Sequence, residues 1–115
     1  MWEKIMIYNK IFKKTTEKHY ITASIVNVKL DTEEVQLAGS SVSAVNNAGA
    51  DASTSLLDQS TIAVIDHPDR DDGTKCCLTI RCRAGTAAAS PYVITFSLAT
   101  TLGNLFVVST DLIVI

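Results

Sequence analysis

From Tyr20 to the C-terminus the apolar residues recur at every second position, and no other feature constrains the fold as strongly. Successive side chains of a strand point to opposite faces, so this period describes strands with one face in a core and one in water. Tyr92, Ile94, Phe96 and Leu98 share one face of a strand expected over Tyr92–Thr100. Phe106, Val108, Leu112 and Val114 share one face of another expected over Leu105–Ile115. A third strand is expected over Lys75–Arg83, with Cys76, Leu78, Ile80 and Cys82 on the same side. The predicted core contains Ile80, Ile94, Phe96, Phe106, Val108 and Leu112.

The remaining segments follow the same logic. Tyr20 to Leu30 reads as a strand with two competing faces, Ile21, Ala23 and Ile25 against Val26, Val28 and Leu30, which a bulge near Ile25 reconciles. Glu34 to Val45 reads as one or two strands interrupted near Gly39, and Asn46 to Asp51 as a turn. Leu56 and Leu57 open a short edge segment, Thr61 to Ile65 a short strand, and Asp66 to Gly73 a loop with an Asp-Gly turn. Ala84 to Pro91 reads as a loop. Thr101 to Asn104 reads as a turn, where Gly103 adopts left-handed backbone without steric cost. Six or seven short strands with turns about every ten residues predict an all-β, immunoglobulin-like antiparallel sandwich. That label rests on strand number and pattern, because the disulfide and tryptophan of antibody domains are absent.

The first 18 residues are patterned differently. Trp2, Ile5, Tyr8 and the adjacent Ile11 and Phe12 recur roughly three to four apart with lysines among them, which suits a short amphipathic helix or an extended arm. The division expected is therefore an N-terminal arm over 1–18 and a sandwich domain over 19–115. These five apolar residues are the candidates for docking on a partner, and packing on the domain's own core is the competing reading.

Composition narrows the function. Hydrophobic residues make up 47% and charged residues 19% of the 115 positions, a globular balance for one domain. A net charge of −2 argues against nucleic acid, which recruits basic domains. The longest apolar runs, such as Leu105-Phe106-Val107-Val108, are far short of the roughly 20 residues a spanning helix needs. Asn9 and Lys10 interrupt the apolar start and no cleavage-site pattern follows, so no secretory leader is read and folding in a cytoplasm is expected. Three cysteines make a poor disulfide framework and match no zinc spacing.

Catalytic and metal chemistry find little to build on. His19 stands at a strand start and His67 in a polar loop, neither beside a nucleophile in any known motif. Asp66, Asp69, Asp71 and Asp72 cluster as hard-cation ligands do, yet the spacing lacks the closing Glu of a calcium loop and Arg70 sits among them. A solvated turn is the expected reading, with no cofactor. Strand parity puts Cys76 and Cys82 in the core and Cys77 on the polar face, which makes Cys77 the candidate exposed thiol.

Four short stretches recur in a particular order: Tyr20-Ile21-Thr22, Arg83-Ala84-Gly85-Thr86, Tyr92-Val93-Ile94-Thr95 and Thr100-Thr101-Leu102-Gly103. In that order, over about residues 18–115, the chain resembles small immunoglobulin-like virion proteins encoded by tailed bacteriophages and prophages. It departs from them in lacking a Trp in the first strand, in an alanine-rich Ala84–Ser90 loop and in its cysteines. The resemblance implies a structural virion part (head decoration, neck or fibre adaptor), made in the host bacterial cytoplasm. Other virion proteins in a symmetric assembly would be its partners, bound through the arm and exposed strand edges, with homo-oligomer formation expected. The alternative is a carbohydrate- or receptor-binding module on a fibre or cell surface. Such a module wants exposed loop aromatics, and the loops here carry almost none.

Overall fold

The computed structural model describes residues 34–66, 75–83 and 85–114, the backbone of strands Glu3–Ile7, Lys10–Phe12 and His19–Asn27, and the side chain of Ala23. Among the described residues eight strands run in chain order: β1 (Glu3–Ile7), β2 (Lys10–Phe12), β3 (His19–Asn27), β4 (Val35–Val45), β5 (Leu57–Ile65), β6 (Cys77–Cys82), β7 (Tyr92–Thr100) and β8 (Leu105–Val114). A single 3-10 turn, Ala87–Ala89, stands between β6 and β7. The strands form two four-stranded sheets, ordered β1-β3-β6-β5 and β2-β8-β7-β4. All pairings are antiparallel except β2 with β8.

Strong alternation produced the most regular elements. In β7 every second residue from Tyr92 to Thr100 is buried, and the strand pairs without a break from Tyr92↔Leu112 to Ala99↔Leu105. Ile94, Phe96 and Leu98 meet Leu78, Ile80 and Cys82 of the other sheet in one core, joined by Ala23, Val42, Ala44, Leu56, Leu57 and Leu112. Of the six core residues expected, Ile80, Ile94, Phe96 and Leu112 are fully buried. Phe106 and Val108 pack on the core but remain half-buried. Among the described residues β2 pairs only with Leu112–Val114, and no described strand flanks the first part of β8 on that side.

Gly39 interrupts β4 as its composition suggested. Its φ of +85° is backbone that L side chains rarely adopt, and the register to β7 shifts between Gln36 and Ser41. Ser40 repairs the ladder at this bulge. Its hydroxyl accepts from Ala99 N at 2.9 Å and donates to Gln36 O at 2.6 Å. The turn after β7 closes with Thr100 N to Asn104 O at 2.9 Å, with Gly103 at φ +80°.

The described parts of the expected arm, residues 3–7 and 10–12, are strands of the two sheets. Residues 3–7 pair with β3 along Glu3↔Asn27 to Ile7↔Ala23, and residues 10–12 pair with β8, so this segment supplies one edge strand to each sheet. Neither stretch is helical. The strand count rises from the expected six or seven to eight by these two additions. Trp2, Tyr8, His67, Asp69, Asp71 and Asp72, and the side chains of Ile5, Ile11, Phe12 and His19, lie outside the described residues.

Candidate interaction surface

The outer sides of β5 and β6 and of β4, β7 and β8 differ in charge. On the sheet containing β6, Asp58 faces its cross-strand partner Arg81, whose guanidinium donates to Asp58 Oδ2 at 2.7 Å, and Arg83 approaches Oδ1 at 3.7 Å. Ser60 donates to Asp58 Oδ1 through its hydroxyl at 2.6 Å. The Ser60 hydroxyl first, and Arg81 second, hold the Asp58 carboxyl down at about 2. A carboxyl lowered in the folded state contributes stability that is complete above its ordinary value of 3.8 and is lost as the pH falls towards about 2. Asp58→Asn should therefore flatten the fall of melting temperature across that acid interval, which thermal melts in stepped buffers will measure.

The outer face of β4, β7 and β8 is nearly uncharged. Cross-strand register arranges it in rows: Val45, Val93 and Asp111; Ser43, Thr95 and Ser109; Ser41, Ser97 and Val107; Gln36, Ala99 and Leu105. Asp111 is the one charge among these residues. Leu105 is 60% exposed, Val107 58% and Ile113 42%. Large apolar side chains this exposed, aligned along one strand, are what interaction patches are made of. In one row β8 carries Val107 where β4 carries Ser41.

The edge of the same sheet is closed. Beyond β4 the chain's own loop takes the outward backbone groups: Ala52 N donates to Ala44 O at 2.8 Å, Ala44 N to Ser53 Oγ at 3.0 Å, and Gln59 Nε2 to Val42 O at 2.9 Å. A strand edge occupied in this way cannot accept a further strand there. Attachment through this edge, one of the routes expected from sequence, is thereby blocked at Val42–Ala44.

At one end of the sandwich an open cleft of about 300 Å³ lies between the loop after β4 and the segment before β7, lined by Asp51, Ser55, Thr86 and Tyr92 among others. Its polar groups hold the loops together. Asp51 Oδ1 accepts from Ser53 N at 3.0 Å, and Ser53 lowers the Asp51 carboxyl through its side chain first and its backbone second. Asn47 Nδ2 donates to Ala88 O at 2.9 Å and Ser90 O at 3.0 Å. Tyr92 Oη accepts from Thr86 N at 3.1 Å, so a tyrosine at the start of β7 bonds back to the backbone a few residues upstream. Sequence reasoning placed Tyr92 on the strand face of Ile94 and Phe96 but missed this role. The available clue was Gly85 just before Thr86: a Cβ on Gly85 would lie 2.7 Å from the Tyr92 ring.

Cys77 is not exposed. It is fully buried, as are Cys76 and Cys82. Parity does put it on the outer side of β6, but β6 is an inner strand, with Ser24 of β3 and Ile65 of β5 directly opposite. A small side chain flanked on both sides is shielded even on an outer face. Burial pushes the Cys82 thiol up to about 12, far from the thiolate that reacts. A thiol reagent should accordingly label none of the three cysteines in the native protein and all three after unfolding, as peptide mapping will show. Among the described residues no group of three His, Cys, Asp or Glu is placed to hold a metal ion, and no helix is long and apolar enough to cross a membrane.

Two sheets in these orders, with a tyrosine bonded back across the corner before its strand, define an immunoglobulin-like sandwich. The second cysteine of antibody domains lies two residues after that tyrosine, and Ile94, fully buried, holds the position here. No family model and no curated protein matches the chain. Among solved structures it is similar to the N-terminal Ig1-2 module of the Drosophila receptor protein tyrosine phosphatase DLAR, at 12% identity and TM-score 0.49, over 98% of this chain and 48% of that one. The complex of Dpr11 IG1 with DIP-gamma matches at 7% identity and TM-score 0.43, over 99% of this chain and 50% of the other. Murine CRIg matches at 9% and TM-score 0.46, over 100% and 99%. The chain spans about half the length of the first two of these chains.

Proposed function

We propose that this chain is a non-catalytic binding module that works by protein–protein contact, as a structural part of a tailed-phage virion. The observation that carries the binding reading is the nearly uncharged outer face of β4, β7 and β8, with Leu105 and Val107 more than half exposed. The other outer face holds its ion pairs among its own residues, and the cleft spends its polar groups on the loops that form it. The virion assignment rests on the order of the four short stretches from Tyr20 to Gly103 and on a single small domain suited to repetition in a symmetric assembly. A mass-spectrometric inventory of purified particles tests it. The chain should be present at a fixed ratio to a capsid, neck or tail protein. Its consistent absence from particles whose host expresses it would refute the virion reading and return attention to a receptor-binding module.

A further inference from the structure

We infer that the edge of β8 over Leu105–Ser109 is a seat for an added strand, taken by an extended, uncharged segment of another polypeptide that is apolar on both faces. This rests on the reading of the chain as a protein-binding module and names the route and the partner's chemistry.

The backbone points to this edge. Thr100 N donates to Asn104 O, and Val114 N donates to Ser90 Oγ on the β7 side of the strand. Both bonds continue the register that pairs Leu98 with Phe106 and Phe96 with Val108. Antiparallel pairs alternate between hydrogen-bonded and non-bonded. Phe106, Val108, Thr110 and Leu112 therefore spend their backbone groups on β7, and Leu105, Val107 and Ser109 turn theirs outward. β2 pairs with the same edge from Leu112 onward, so the edge accepts a strand, and among the described residues the ladder stops there. At the opposite edge of this sheet the chain's own loop takes the outward groups of β4. No described segment does so beside Leu105–Ser109.

The neighbours set the chemistry of the occupant. A free strand edge is matched by another extended backbone, which supplies donors and acceptors at the same spacing. Alternate side chains of that segment would lie beside Phe106 and Val108, which are half-buried, and beside Leu105 and Val107, which are more than half exposed. Apolar residues suit both rows. β8 carries no charge from Leu105 to Thr110, and Asp111 favours a lysine at that end of the partner. A second copy fits worse. With two β8 strands antiparallel about Val107, the second copy's β2, which pairs with its Leu112, falls level with Leu102 in the turn after β7. A linear segment meets no such obstacle.

Backbone hydrogen exchange read by NMR on the full chain tests this, with the peptide acetyl-Lys-Thr-Val-Ile-Val-Thr-amide as probe. In the protein alone the amides of Leu105, Val107 and Ser109 should exchange fast and those of Phe106 and Val108 slowly. Millimolar peptide should protect the first three. The same peptide N-methylated at its three central residues keeps its side chains, loses its strand donors and should not bind. Val107→Pro removes one outward donor and leaves the ladder to β7 intact. With an unchanged circular dichroism spectrum it should bind the peptide about tenfold more weakly, whereas Val107→Thr, which keeps the donor, should bind like the wild type. Protection of Leu105, Val107 and Ser109 without peptide would mean that the chain covers its own edge. Protection that grows with protein concentration alone would put a second copy there. Equal binding of the N-methylated peptide, or no binding of either, would mean that the edge is not a strand seat. Each of these results would overturn the inference, while the virion reading stands or falls separately on the particle inventory.

Discussion

Truncating Phe96 to alanine should cost the domain about 3–5 kcal/mol, the range for a large aromatic removed from a packed core. Phe96 is fully buried at the middle of β7, with Val42 of β4 and Val108 of β8 directly opposite on either side. Those two flanking strands fix its backbone, so the core can collapse only partly into the space left behind. A domain with the usual stability of about 5–15 kcal/mol would lose a large share of it. Urea denaturation at constant m-value measures the loss. Phe106→Ala provides the internal comparison. Phe106 of β8 is only half-buried, so the same chemical change should cost clearly less there. Equal costs at the two sites would mean that β7 and β8 do not pack as described.

Gly85→Ala should be the most damaging change outside the core for its size. The added methyl would sit 2.7 Å from one Tyr92 ring carbon and 3.1 Å from the hydroxyl oxygen. The ring cannot retreat, because Tyr92 is buried and its backbone opens the ladder to Leu112. Either the loop shifts, and Thr86 N loses its bond to the Tyr92 hydroxyl, or the ring is forced off its rotamer. Overpacking of this kind costs about 1–3 kcal/mol, and a lost hydrogen bond adds about 0.5–1.5 kcal/mol. Tyr92→Phe separates the two effects. It removes the hydroxyl alone and should cost only about 1 kcal/mol. Paired melts of both variants check the order, and a Gly85→Ala protein as stable as wild type would show that the corner is not built around this contact.

What could be read from sequence followed the physics of alternation. Tyr92–Thr100 was legible to the residue because five alternate positions carry side chains that want burial, and the strand sits between two neighbours. The bulge at Gly39 was legible because a glycine among β-forming residues marks a break. Three things were not legible. The role of residues 3–12 depends on which strands offer them a free edge, which is a property of the assembled sheets. The burial of Cys77 depends on its neighbours across β6, whereas parity speaks only of the strand alone. The candidate surface was missed for a related reason. Ser41, Ser97 and Val107 are far apart in the chain, and only register assembles them into one stepped row.

The central claim is that this domain works by contact through the outer face of β4, β7 and β8. Site-specific photo-crosslinking in the producing cell tests it most directly. A photoreactive amino acid at position 107 should form a discrete adduct with another polypeptide, either a second copy of this chain or another virion protein. The same residue at position 60, on the outer face of the opposite sheet, should form none. An adduct at 60 and none at 107, with both proteins folded and equally abundant, would contradict the account.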